Sequence, residues 1–231
     1  MNVDFPLLST CTYSCDCPEA RQAGGELRGV WRFPNAYYKG LEKLVYEVPN
    51  FYPWMVHEGI GNVNESFAMT WRFSVMGDPL VNRYIVRDSD SPLIQREVDA
   101  VNEWINLGTC FHTMRDHIAH LFPVMGGMWG GCNYWQPDKN KGIRTTLFLS
   151  RKVYGGDQNA LTTYLLPWAK ENMTSHTSYP CKQFPGSLPF PTRRVSGTFV
   201  GSRNYRMRND TIFRKCPWEC RPKLHKDWER C

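Results

Sequence analysis

The stretch Tyr84-Ile85-Val86-Arg87-Asp88-Ser89-Asp90-Ser91 constrains this chain more than any other. Three apolar residues run into two carboxylates one residue apart, and Ser91-Pro92 then opens an amphipathic segment. The pattern predicts a buried strand whose carboxyl end presents Asp88 and Asp90, followed by a helix. Ligands of open α/β sheets sit at the carboxyl ends of strands. Two carboxylates on a tight turn there make a hard-oxygen site for Mg2+ or Mn2+, completed by the phosphates of a nucleotide diphosphate. The alternative, from these residues alone, is a strand end capped by solvated aspartates.

The flanking sequence extends this unit in both directions. Ser91 fits an N-cap and Pro92 the first helical position. Ile94, Val98, Val101, Trp104 and Ile105 trace one apolar face, and Gly108 ends it. Residues 110–114 form a strand candidate. Upstream, 27–33 reads as a first strand, 36–48 as a helix, 54–56 as a short strand, and 66–76 as a helix leading through the Gly77-Asp78-Pro79 turn. Downstream, 123–131 is too glycine-rich for regular helix, and its glycines allow backbone to approach a ligand. Residues 138–142 read as a polar loop, and 144–152 as strand or short helix. Leu161, Tyr164, Leu165 and Trp168 give 157–171 a helical period, kinked or ended early by Pro167. The expected organisation is an irregular arm over 1–25 and one domain over 26–231. Within that domain, 172–231 is a loop-rich wrap closed by disulfides near Cys216 to Cys231.

With 231 residues and 42% apolar side chains, the chain can bury a sizeable core in one domain. Its net charge of +6 is scattered, and only Arg203, Arg206, Arg208 and Arg214 cluster, read as a solvated face. Nothing resembles a nucleic-acid module. No apolar run has membrane length, and residues 1–10 lack the features of a signal peptide. Nine cysteines and three sequons, at Asn64, Asn172 and Asn209, favour an oxidising secretory compartment. Disulfides rank ahead of zinc because the Cys11/Cys15/Cys17 and Cys216/Cys220 spacings lack paired zinc-knuckle form. The expectation is a secreted or Golgi-lumenal protein whose only membrane link is an N-terminal anchor outside this sequence.

Three more groups carry chemical meaning. Arg72, in Trp71-Arg72-Phe73, can reach a diphosphate, because a guanidinium matches phosphate oxygens; it reads equally as an exposed helix arginine. Gly155-Gly156-Asp157-Gln158 delivers a carboxylate and an amide at a helix start, suited to sugar hydroxyls or to simple N-capping. His117 and His120 have the spacing to ligate zinc on one helix face, but no acidic residue accompanies them at a metalloprotease spacing. The competing reading is a packed turn, with Arg115 and Asp116 as an internal ion pair.

The blocks Trp71-Arg72-Phe73, Arg87-Asp88-Ser89-Asp90-Ser91, Arg96-Glu97, Ala100-Val101, Glu103-Trp104, Phe111-His112, Met114-Arg115-Asp116-His117, Gly126-Gly127-Met128-Trp129-Gly130 and Gly156-Asp157-Gln158 follow one another in this order. In order and spacing they resemble a little-characterised family of GT-A-type glycosyltransferases. The resemblance spans residues 66–200 and, more loosely, 36–56 and 216–231. It implies an α/β, Rossmann-like GT-A domain, a mixed sheet flanked by helices with a loop-rich, disulfide-tied C-terminal part. It also implies a nucleotide-sugar donor, a glycan, protein or lipid acceptor, and Mn2+ or Mg2+ at Asp88 and Asp90. A more distant similarity to glycogenin-type retaining transferases assigns Arg72 to the donor and Asp157 and Gln158 to the transferred sugar or acceptor. Gly126 and Gly127 would let the donor sit close, and His176 would be a further metal ligand. The stretch from Trp54 to Trp71 is shorter than in the family, which implies a shortened nucleotide half. Two alternatives therefore stand beside the enzyme: a catalytically silent secretory protein of the same fold that binds glycan or protein, and a disulfide-rich extracellular interaction module.

Overall fold

The computed structural model describes residues 7–10, 68–79, 81–88, 91–150, 153, 155–195, 197–202 and 215–231. Among the described residues, five strands form one sheet: β1 (Leu7–Thr10), β2 (Arg83–Asp88), β3 (Phe111–Arg115), β4 (Met128–Cys132) and β5 (Met173–Thr177), in the order β1-β2-β4-β3-β5. β1 runs parallel to β2, and β3 parallel to β5, while β4 is antiparallel to both of its neighbours. The carboxyl ends of β2, β3 and β5 therefore share one edge with the start of β4. That edge gathers Asp88, Arg115, Thr177 and the glycine-rich approach to Met128.

Alternation along the strands sends side chains to two faces. Tyr84, Val86, Phe111 and Trp129 pack on one face with Phe73, Leu147, Leu161 and Leu165. Ile85, Met114 and Met128 lie on the other, beneath α1 (Gln95–Leu107), which buries Ala100, Val101 and Trp104 against them. Gly130 permits this approach: a Cβ there would lie 2.7 Å from the Tyr84 carbonyl oxygen and 3.0 Å from the Trp104 ring. The expected end of α1 at Gly108 is observed, in the left-handed conformation with φ 75°. Its start is later than expected. The cap position is Ile94, and Ser91 instead donates its N–H to the Asp88 carbonyl at 3.2 Å, closing the turn after β2.

Two polar segments are ordered where loop was expected. α2 (Pro137–Phe148) runs through 138–142, read as a polar loop, and into 144–152, where the short-helix alternative holds as far as Phe148. Pro137 opens it, where a missing N–H costs nothing. The buried Asn140 side chain pins it by donating to the Cys132 and Trp135 carbonyls at 2.9 and 3.1 Å. β5 likewise lies in the stretch expected to lack regular structure. Its hydroxyls find partners: Thr174 meets Thr109 at 2.6 Å, and Thr177 accepts from Arg115 at 3.1 Å. The expected helix after Gly155 is a continuous run, α3 (Gly156–Ala160), a π-helical turn (Leu161–Leu165), α4 (Leu166–Ala169) and a 3-10 turn (Lys170–Asn172). Pro167 cannot donate to the turn before it, and the wider π turn falls just where that bond is missing.

β1 lies within the arm expected to be irregular. The expected elements at 27–33, 36–48 and 54–56 lie outside the described residues, as do Cys11, Cys15, Cys17, Asn64, Asn209 and the arginines from Arg203 to Arg214. Three disulfides are present among the described residues: Cys110–Cys132 joins the start of β3 to the end of β4, and Cys181–Cys220 and Cys216–Cys231 tie the C-terminal wrap. Among the described residues no helix is long and apolar enough to cross a membrane.

Candidate active site

Asp88 is the last residue of β2, and its side chain is 35% exposed at the sheet edge. It follows Val86 on the face that packs with Phe73 and Trp129. Phe73 closes a short 3-10 helix, Ala68–Phe73, and its ring lies 6.2 Å from that of Trp129. This anchor directs the neighbouring Arg72 inward, where it is buried. Arg72 Nη1 donates to Asp88 Oδ1 at 3.2 Å and lies 3.7 Å from Asp157 Oδ2.

Asp157 comes from the first turn of α3, after Gly155 at φ 74°. It is 1% exposed. Burial pushes its carboxyl above the ordinary value, opposed by the Arg72 guanidinium and reinforced by the nearby Asp88 charge. Beside it, Gln158 Oε1 accepts from the Gly126 N–H at 3.5 Å. The glycine pair closes the cluster. A Cβ on Gly126 would lie 2.6 Å from Asp157 Oδ2 and 3.2 Å from Arg72 Nη1, and one on Gly127 would lie 2.3 Å from Asp88 Cγ. Contacts under 3.0 Å force a neighbour to shift, so a side chain at either position would displace the Asp157 or the Asp88 carboxylate. Among the described residues, Arg72 Nε and Asp157 Oδ1 are buried without a hydrogen-bond partner.

The fold thus brings together Arg72, Asp88, Gly126, Gly127, Asp157 and Gln158 from four separate segments. Asp90 lies outside the described residues. His176 does not join them. It packs on the α1 face of the sheet, fully buried, with Nδ1 2.8 Å from His112 Nε2 and Nε2 2.9 Å from Glu103 Oε2. Both ring nitrogens are engaged, and a side chain on the opposite face cannot share a ligand with Asp88. The expectation that His176 completes a metal site with the aspartates is therefore corrected.

The Met114–His120 region also differs from its reading. Asp116 pairs not with Arg115 but with Arg96, whose Nε and Nη2 each reach it at 2.9 Å, and with Arg194. It accepts from Val200 N as well, at 3.0 Å. Burial alone would raise this carboxyl; Arg96, Arg194 and the hydrogen bonds hold it below its ordinary value. Arg115 turns instead to Thr177, Ser175 and the Pro123 carbonyl, and burial lowers its guanidinium to about 10. His120 accepts from Asp116 N at 3.1 Å. Burial, with the charge on His117, lowers His120 to about 3. Among the described residues no group of three or more His, Cys, Asp or Glu could cage a metal ion.

The sequence reading missed a buried pair, Arg87 with Glu97, both 2% exposed. A signal was present: Glu97 lies three, four and seven residues before Ala100, Val101 and Trp104, on the apolar stripe of α1, where an unpaired carboxylate is not tolerated.

No protein-family model and no curated protein matches the chain. One solved structure that resembles it is a glycosyltransferase involved in the glycosylation of the major capsid of PBCV-1. The two share 15% sequence identity and a TM-score of 0.43, over 67% of this chain and 84% of that one. A likeness of that degree carries no weight in the functional reading, which rests on side-chain geometry and on the ordered sequence blocks.

Proposed function

We propose that this chain is a glycosyltransferase of the GT-A type, acting in the secretory pathway on a nucleotide-sugar donor and a glycan, protein or lipid acceptor. One observation carries the reading. A single buried guanidinium, Arg72, joins the strand-end carboxylate Asp88 to the buried carboxylate Asp157, beside a glycine pair where a Cβ would displace either carboxylate.

Each group has a task in this reading. Arg72 is a fixed positive charge for a leaving diphosphate, stabilising charge as it develops without reorganising. Asp157, sheltered from water, interacts strongly with positive charge that forms at the sugar carbon during departure. Gln158 binds a sugar hydroxyl while its Oε1 remains tethered to Gly126 N. Gly126 and Gly127 let the donor rest against backbone.

The residues also fit a divalent cation of the Mg2+ or Mn2+ kind. Such ions take one or two protein carboxylates and complete their shell with substrate phosphates and water. Asp88 offers a partly exposed carboxylate at the sheet edge, and Asp90 is the expected second ligand. A bound ion would supply further neutralisation of the diphosphate.

A thermal-shift screen of UDP-, GDP- and CMP-sugars, with and without Mn2+, tests the proposal. A ligand that binds the native state raises its melting temperature by mass action. The expected result is a shift with at least one nucleotide sugar that is larger with Mn2+ and absent in Asp88→Asn. No shift with any donor would set the enzyme reading aside in favour of the silent glycan- or protein-binding protein.

A further inference from the structure

Resting on the reading of Asp88 as a metal ligand, we infer that Arg87 and Glu97 form a positioning device that sets how the end of β2 meets Ser91, Pro92 and the start of α1, and so where Asp88 stands. Arg87 precedes Asp88 in β2, so its side chain leaves from the opposite face of the strand. It reaches both the Ser91-Pro92 backbone and the helix that follows. Nη2 donates to the Ser91 carbonyl at 3.3 Å and to the Pro92 carbonyl at 3.1 Å, and to Glu97 Oε2 at 2.9 Å. Nε donates to Glu97 Oε1. Glu97 belongs to the first turn of α1. Ser91 N also donates to the Asp88 carbonyl at 3.2 Å. One guanidinium therefore joins the end of β2, Ser91 and Pro92, and the start of α1 in a single hydrogen-bonded unit that holds Asp88.

Stability does not account for such a pair. Taking two charges out of water costs about as much as their attraction returns, and apolar replacements of similar volume are often neutral or stabilising. A planar fork that binds a carboxylate on one side and two carbonyls on another instead specifies geometry. Geometry is what a small divalent ion demands, because Mg2+ requires near-ideal octahedral coordination. The neighbouring residue repeats the device: Arg96 binds Asp116 at the end of β3. Consecutive residues of α1 thus hold the carboxyl ends of two strands.

The test uses the full chain with Mn2+ alone as probe, read by electron paramagnetic resonance of free Mn2+, alongside the melting temperature of the apo protein. In Arg87→Met/Glu97→Met the buried charges leave together, so the melting temperature should stay close to the parent while Mn2+ binds about 10- to 100-fold more weakly, the usual cost of losing an outer-shell partner. Arg87→Lys keeps Glu97 paired but replaces the fork by a point charge, and it serves if the double variant does not fold. It should weaken Mn2+ binding about tenfold and speed amide hydrogen exchange at Ser91. Asp88→Asn separates the two claims. If Asp88→Asn abolishes Mn2+ binding while a folded Arg87→Met/Glu97→Met or Arg87→Lys binds as tightly as the parent, the positioning role is overturned and the metal reading stands. If Asp88→Asn binds Mn2+ as the parent does, the metal reading fails and the positioning role falls with it.

Discussion

Arg72 donates through Nη1 to the Asp88 carboxylate at 3.2 Å, so that a residue ahead of β2 is tied to the residue that ends it. Arg72 is buried, which makes its charge strong toward anything that replaces water in the site. Removing it as Arg72→Met should weaken nucleotide-sugar binding about 10- to 100-fold, the worth of one or two hydrogen bonds to a charged group. Calorimetric titration with the donor found in the screen measures this. An unchanged affinity would remove Arg72 from the donor site.

Gly127 offers a sharper probe than any charged residue. A Cβ there would lie 2.3 Å from Asp88 Cγ. Gly127→Ala should displace the Asp88 carboxylate, with loss of Mn2+-dependent donor binding and a modest change in melting temperature. Gly142→Ala is the control, since nothing lies within 4 Å of a Cβ at that position. Equal effects from the two substitutions would mean that the contact with Asp88 has no functional weight.

Acid should destabilise the fold through its buried histidines. Burial depresses His112, His176 and His120, the last to about 3. A depressed group binds its proton in the unfolded chain before it does in the folded one, so stability is greater above the unfolded value. The contribution of His120 is fully present above pH 6.5 and is lost as pH falls toward about 3. His120→Gln keeps an acceptor for the Asp116 N–H and cannot titrate. It should flatten the pH dependence of unfolding free energy in that window by about one proton, or about 1.4 kcal/mol per pH unit. Urea unfolding at several pH values measures the slope, and a slope identical to the parent's would contradict the assignment.

Much of this architecture is visible in the sequence, and the part that is not has a common cause. β2 and α1 announce themselves because apolar residues repeat at the period of their structure. Arg72, Asp88, Gly126, Gly127, Asp157 and Gln158 could be named because their residue types suit the chemistry and their order resembles a family. β5 and the first half of α2 could not, because polar atoms rather than apolar stripes hold them in place: Asn140 pins the helix, Thr174 meets Thr109, and Ser175 and Thr177 accept from Arg115. His176 was misplaced for a related reason. Its position in the chain, after the Asp157 helix, says nothing about which face of β5 it occupies. Adjacency suggests Arg115 as the partner of Asp116, whereas its partners Arg96 and Arg194 lie far along the chain.

The disulfide between Cys110 and Cys132 should matter more to stability than its place in a well-packed sheet suggests. Both residues are buried in the core shared by Phe111 and Trp129. The bridge joins residues separated by 22 in sequence and closes a segment that includes the glycine approach to the site. Cys110→Ala/Cys132→Ala should lower the unfolding free energy by roughly 2–5 kcal/mol, measured by urea denaturation under non-reducing conditions. A loss well under 1 kcal/mol would place the bridge outside the stabilising framework.

The most direct test of the proposed chemistry is release of nucleoside diphosphate from nucleotide sugars by the purified chain with Mn2+, compared with Asp88→Asn and Asp157→Asn. The expected result is release by the parent from one donor class and a fall of about 100-fold or more in both variants, the scale of losing one preorganised electrostatic group. Release at the parental rate by either variant, or none from any donor by a parent that binds one, would contradict it.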